Sequence, residues 1–195
     1  TSNSPVVGRI LGRLKDSPAV ETCEWSQDSS GLAQTPVDVL VYWPGCNRPG
    51  GLDLVEAERV FDTAATCERV IVISSAEVYV PSPKNPGFIT ESRQPTATGP
   101  RSLSGQWLAL EERASRLEAA GKGLTILRPT TMLSAAGPGF FNDLFGSHLG
   151  LVLAGYDPSV QLLAPDDLAG AVCAVVEQEA VGVYNVAPDG VIPLR

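Results

Sequence analysis

Residues 69–80 read RVIVISSAEVYV, and the architecture follows from them. Val70, Ile71, Val72 and Ile73 succeed one another with no polar residue between them. A strand with one solvated face alternates apolar and polar side chains. An unbroken β-branched run belongs to a strand covered on both faces, as in a parallel sheet between two helical layers. Ser74 and Ser75 end the run and mark where the strand gives way to a loop.

Outward from this stretch, strand-like and helix-like patterns alternate. Residues 19–25 (AVETCEW), 37–44 (VDVLVYWP), 124–128 (LTILR) and 182–186 (GVYNV) read as further strands. Residues 6–15 place Val7, Ile10, Leu11 and Leu14 on one helical face, and residues 52–67 do the same with Val55, Val60 and Phe61. Residues 103–120 form the longest helix, with Leu108, Leu110 and Leu117 inside and a charged outer face from Glu111 to Arg116. A helix over 166–179 opens on acidic residues, where the helix dipole favours them. This alternation predicts an α/β fold, a doubly wound parallel sheet with helices on both faces. Two loops rich in Pro, Gly and small polar residues, 44–51 and 81–104, follow predicted strands. They lie at the sheet edge where such folds bind ligands.

The 195 residues fit one domain, with 44% hydrophobic and 18% charged residues, a globular composition. The net charge of -8 argues against nucleic acid or anionic membrane as a partner, because phosphates are repelled. Cys23, Cys46, Cys67 and Cys173 form no CxxC pair, and His148 is the one histidine, so no metal site is expected. Cys23 and Cys173 sit in apolar runs and read as small core residues. Free thiols, no signal peptide and no membrane-length apolar run point to the cytoplasm.

Several segments, in order along the chain, resemble the extended short-chain dehydrogenase/reductase family, the NAD-dependent epimerase/dehydratases. These are 37–45 (VDVLVYWPG), 69–80, 89–92 (ITES), 124–133 (LTILRPTTML), 162–172 (LLAPDDLAGAV) and 182–190 (GVYNVAPDG). The resemblance implies a Rossmann-like domain over 1–195, with 134–165 as a short remnant of a substrate domain or lid, within a longer chain. It implies NAD or NADP as cofactor, contacted at Ser2, Gly8, Pro44, Ser74 and Pro129, and a substrate-holding hydroxyl at Ser75.

The chain departs from the family where the chemistry resides. Thr1-Ser2-Asn3-Ser4-Pro5-Val6-Val7-Gly8 stands in place of Thr-Gly-x-x-Gly-x-x-Gly. Of the glycines only Gly8 remains. Ser2 adds a side chain at the tight turn, and Pro5 removes an N–H where a pyrophosphate would pass. The same residues read equally as a helix entry capped by Ser4 with Pro5 in its first turn. In register with Glu111, Leu103 takes the position of the family's acid/base Tyr and Trp107 that of its Lys. Neither exchanges a proton near neutral pH. Ser75 then reads as a strand-end serine bonded to nearby backbone, Tyr79 as a packing residue, and Glu24 and Asp28 as weak candidates for a ribose contact.

Three functions stay open. The first is a non-catalytic domain with a scaffold, regulatory or partner-binding role, joined to a protein partner or a flanking domain. The second is a reductase or epimerase with an atypical acid/base group. The third is a dinucleotide sensor. The resemblance also implies a homodimer, with 103–120 as a candidate surface. The aromatic stretch 140–153 (FFNDLFGSHLGLVL) is core, lid or partner surface, and too short and interrupted to span a bilayer.

Overall fold

The computed structural model describes residues 5–17, 20–24, 37–44, 51–82, 85–133 and 159–193. Four strands, β1 (Val39–Tyr42), β2 (Arg69–Ile73), β3 (Gly123–Pro129) and, later in the chain, β7 (Gly182–Val186), form one parallel sheet in the order β1-β2-β3-β7. Three shorter elements follow β3: β4 (Thr131–Met132), β5 (Ser159–Val160) and β6 (Leu162–Leu163). β4 pairs with β6 in parallel, and β5 pairs antiparallel with β8 (Ile192–Pro193). Helices α1 (Pro5–Lys15) and α4 (Pro165–Glu177) cover one face of the sheet, and α2 (Leu54–Thr63) and α3 (Leu103–Ala119) the other.

β2 explains this layering. Val70 and Val72 join the cluster of Val60, Phe61, Trp107 and Leu110, while Ile71 and Ile73 join that of Ile10, Leu14, Leu168 and Val172. All four strand residues are buried, because side chains alternate between faces and each face carries its own helical layer. The result is a doubly wound, Rossmann-like α/β sheet.

Local chemistry fixes the helix ends. Asp53 caps α2 through bonds from the Val55 and Glu56 amides at 3.1 and 2.8 Å. Ser102 caps α3, its hydroxyl accepting from the Gly105 amide at 3.1 Å. Glu58 on α2 meets Arg113 and Arg116 on α3, both at 3.1 Å. These exposed pairs contribute little beside the apolar contacts beneath them.

Several sequence expectations need correction. Residues 20–24 form no regular strand among the described residues. A strand needs a neighbour to complete its ladder, and no described strand borders this segment. Cys23 is accordingly exposed rather than in the core. Val55 is exposed because it lies about 140° and 120° round the helix from Val60 and Phe61 at 3.6 residues per turn. Gly182, Val183 and Tyr184 are exposed, unlike the residues of β2, because β7 borders the sheet. Glu111 points inward, not along the charged face of its helix. Residues 134–158, with the aromatic stretch and His148, lie outside the described residues, as do Ser2, Cys46 and Asp28.

Tight packing at the start of α3 gives a contrast between two glycines. A Cβ at Gly105 would stand 2.0 Å from the carbonyl oxygen of Gly99 and 3.0 Å from Pro100 Cα, backbone atoms that cannot swing away. One at Gly12 in α1 meets nothing within 4 Å. Gly105→Ala is therefore expected to destabilise the fold by about 1–3 kcal/mol. Gly12→Ala is expected to stabilise it by about 0.5–1 kcal/mol through helix propensity. Urea unfolding of the two variants checks both signs.

Candidate functional site

The C-terminal ends of the parallel strands are where a fold of this class binds ligands. Here they are joined by a buried polar network. Arg128, near the end of β3, is 5% exposed and Glu111 on α3 is 6% exposed. The guanidinium meets the carboxylate through two bonds, Nε to Oε1 at 3.0 Å and NH2 to Oε2 at 2.6 Å. This is the bidentate geometry that a buried charge pair requires. Burial, the largest single influence on Arg128, would lower its pKa. The hydrogen bond and charge of Glu111, with the Tyr79 contact, outweigh it and raise the pKa above its ordinary value.

The network continues on both sides of the pair. Ser74 is buried and donates its hydroxyl to Glu111 Oε1 at 2.6 Å, while its amide donates to the Leu127 carbonyl at 2.7 Å. Arg128 NH1 donates to the Tyr79 hydroxyl at 2.6 Å, and its guanidinium carbon lies 5.2 Å from the centre of that ring. Tyr79 in turn donates to Asn185 Oδ1 at 3.0 Å, and Asn185 Nδ2 donates to the Ile89 carbonyl at 2.9 Å. Tyr79 thus packs, as its sequence context implies, and also carries a polar link from β3 to β7.

Ser75 takes a different part. It caps a 3-10 turn, Ala76–Val78, and its hydroxyl accepts from the Glu77 amide at 3.2 Å. Glu77 is bound by the Trp107 indole, whose Nε1 donates to its carboxylate at 3.0 Å. Trp107 is 2% exposed, within the cluster beneath α2 and α3, whereas Leu103 is 50% exposed. A hydrocarbon and an indole therefore occupy the positions eight and four residues before Glu111.

The remaining expected site residues are scattered. Pro44 is buried just after β1, and Pro129 is buried at the end of β3. Gly8 lies within α1, and a Cβ there meets nothing within 4 Å, so no close approach among the described residues requires a glycine. α1 begins at Pro5, the position a helix entry gives to proline. Trp43 Nε1, just after β1, and Thr130 Oγ1, just after β3, are buried without a hydrogen-bond partner among the described residues. Sequence reading missed both. Their signal was position alone, a polar side chain one residue past a strand end.

These residues fit a dinucleotide only in part. Two buried polar atoms, Trp43 Nε1 and Thr130 Oγ1, lack a partner among the described residues, while the Ser74 and Ser75 hydroxyls are bonded within the chain. Among the described residues no three of His, Cys, Asp and Glu come together as for a metal ion, and no helix is long and apolar enough to cross a membrane. Cys67 is buried, and burial pushes its thiol pKa up, against a smaller opposite pull from Thr66.

Known structures share this fold. A UDP-N-acetylglucosamine 4-epimerase from Bacillus cereus superposes with a TM-score of 0.71 at 15% identity, over 98% of this chain and 77% of that one. RMD from Pseudomonas aeruginosa, complexed with NADPH, gives 0.70 at 16% identity over 98% and 78%. A Bacillus cereus UDP-glucuronic acid 4-epimerase in complex with NAD gives 0.65 at 16% identity over 84% and 59%. No family model matches the sequence. Among curated proteins, uncharacterized proteins of Mycobacterium bovis and Mycobacterium tuberculosis are 30% identical over 138 residues, 67% of this chain. The chain spans about a third of their length, 35%.

The Glu111–Arg128 pair yields a stability prediction. Glu111→Leu leaves the guanidinium buried and is expected to cost about 3–5 kcal/mol. The double variant Glu111→Leu/Arg128→Met, which removes both charges, is expected to recover most of that loss. Chemical denaturation of the two variants measures the difference, and equal losses would mean that the unpaired buried guanidinium is not what destabilises the single variant.

Proposed function

We propose that this chain is a degenerate domain of the NAD-dependent epimerase/dehydratase type, non-catalytic, with a scaffold, regulatory or partner-binding role. The observation that carries this reading is the pair Leu103 and Trp107. They stand at the acid/base positions in register with Glu111, one on the surface and the other sealed in the core against Glu77. Hydride chemistry of the epimerase type needs a proton moved to or from the substrate oxygen as the hydride moves. Neither side chain supplies one.

On this reading the network at the strand ends holds the fold together, and NAD or NADP binds weakly or not at all. Residues 1–195 act as one Rossmann-like unit within a longer protein, in a reducing compartment such as the cytoplasm. Free Cys23, Cys67 and Cys173 accord with that location. The Ser75 hydroxyl serves as a turn cap rather than a substrate hold.

Trp43 Nε1 and Thr130 Oγ1 favour a second reading, a dinucleotide sensor without turnover, because buried polar atoms lacking partners accept a polar ligand at little desolvation cost. Titration with NADH and NADPH, followed by nicotinamide fluorescence and by calorimetry, separates the readings. A scaffold gives no saturation up to about 1 mM and no turnover of nucleotide sugars. A sensor saturates well below that and still turns nothing over. Turnover that Ser75→Ala abolishes in a folded protein would overturn both.

A further inference from the structure

We propose that the outer edge of β7 is a docking site for an extended, basic segment of another polypeptide, which adds to the sheet as a further strand. This rests on the partner-binding reading above and names its surface and partner class.

β7 is the last strand of the four-stranded sheet, and Gly182, Val183 and Tyr184 are exposed on it. Strands of parallel sheets are ordinarily covered on both faces. The Val186 carbonyl accepts from the Thr130 amide at 2.9 Å, on the side of β3. Alternation along the strand then turns the backbone groups of Val183 and Asn185 outward. The Asn185 amide is already bonded to Glu91 Oε1 at 2.7 Å. Glu91 closes one end of the edge and leaves Val183 as the site for new ladder bonds.

Two clefts flank this position on opposite faces. One of about 290 Å³ lies beside α3, over Leu124, Ile126 and Val183. The other, of about 310 Å³, lies beside α4, over Leu127, Tyr184 and Val186. A helix laid on the sheet would fill one of them. An added strand sends successive side chains to opposite faces and so reaches both.

Charge selects the occupant. The exposed carboxylates of Glu112 and Glu118 line the α3 cleft, while Glu111 is engaged with Arg128. A Lys or Arg beside Val183 can rest its methylenes on Leu124 and Ile126 and bring its cation to that rim. The α4 cleft, walled by Ala171, Ala174 and Val175, suits an aliphatic side chain. A second copy would bring the same carboxylates and another net charge of -8 to the contact, so the partner is a different chain.

The test uses a fluorescent heptapeptide of alternating valine and lysine, with glutamate replacing lysine in the control. Anisotropy reports binding, and hydrogen exchange reports the Val183 amide. The lysine peptide is expected to bind at least about tenfold more tightly than the control and to protect that amide. Val183→Pro deletes the outward N–H at a position where edge strands tolerate proline, and is expected to abolish binding. Glu112→Lys/Glu118→Lys alters only the surface and keeps the test decisive if the proline variant misfolds. It is expected to weaken binding about tenfold or more. Equal binding of the two peptides, an unprotected Val183 amide in the bound state, or indifference to the charge reversal would overturn the proposal. So would a peptide-free dimer that itself protects Val183. Such a failure, with no dinucleotide turnover, leaves the non-catalytic reading standing. Turnover with a docked peptide strikes that reading alone.

Discussion

The carboxylate of Glu111 and the guanidinium of Arg128 form a charge pair with almost no access to water, and the rest of the strand-end region is arranged to make that tolerable. Taking either ion out of solvent costs several kcal/mol unless its bonding is completed in place. Both Glu111 oxygens are used, one of them twice, by Arg128 and Ser74. Arg128 passes its remaining contact to Tyr79, which passes it to Asn185. α3, β2, β3 and β7 are thereby held in one register by directional bonds, where apolar packing alone would tolerate sliding. The positions of Leu103 and Trp107 follow, since they ride on the helix that Glu111 pins.

That register also bears on why the strand ends look more structural than reactive. The Ser74 hydroxyl has spent its proton on a buried carboxylate and must break that bond to donate elsewhere, and one lone pair of Ser75 is taken by a backbone amide. The indole of Trp107 places a ring and a single directed donor in the core, and Glu77 accepts from that donor. Trp43 and Thr130 differ from these groups in having no such bond to break.

Much of the fold was legible in the sequence, for a particular reason. Four strands and four helices fall near their expected positions because continuous apolar runs and helical periodicity are local signals. Failures occur where a residue's state depends on something distant. Residues 20–24 carry strand-like composition but have no strand beside them among the described residues. Glu111 reads as surface because it adjoins Glu112 and Arg113, yet it stands four residues after buried Trp107, on the same face. An arginine closing the buried run 124–128 was the clue that a carboxylate had to meet it. The two-residue strands β4, β5, β6 and β8 are too short to carry any periodicity. At the strand ends, residue identity alone shows Leu103 and Trp107 eight and four residues before Glu111, while the hydrogen bonds of Ser74, Ser75 and Trp107 emerge only in three dimensions.

α1 and α4 rest on the same face of the sheet, joined by apolar contacts and by the ion pair of Arg9 with Asp166, although 157 residues separate those two along the chain. Bringing such distant segments together costs chain entropy that is recovered only once the intervening strands are in place. The α2–α3 face instead assembles from segments close in sequence, between 40 and 126. The two helical layers should therefore form in order. A collapsed half with α2, α3 and the central strands comes first, and α1 docks near the end of refolding, so φ-values in α1 should lie close to zero. During that interval the apolar residues Ile71, Ile73 and Leu127 face water, which makes the uncovered layer the most aggregation-prone surface of the folding chain.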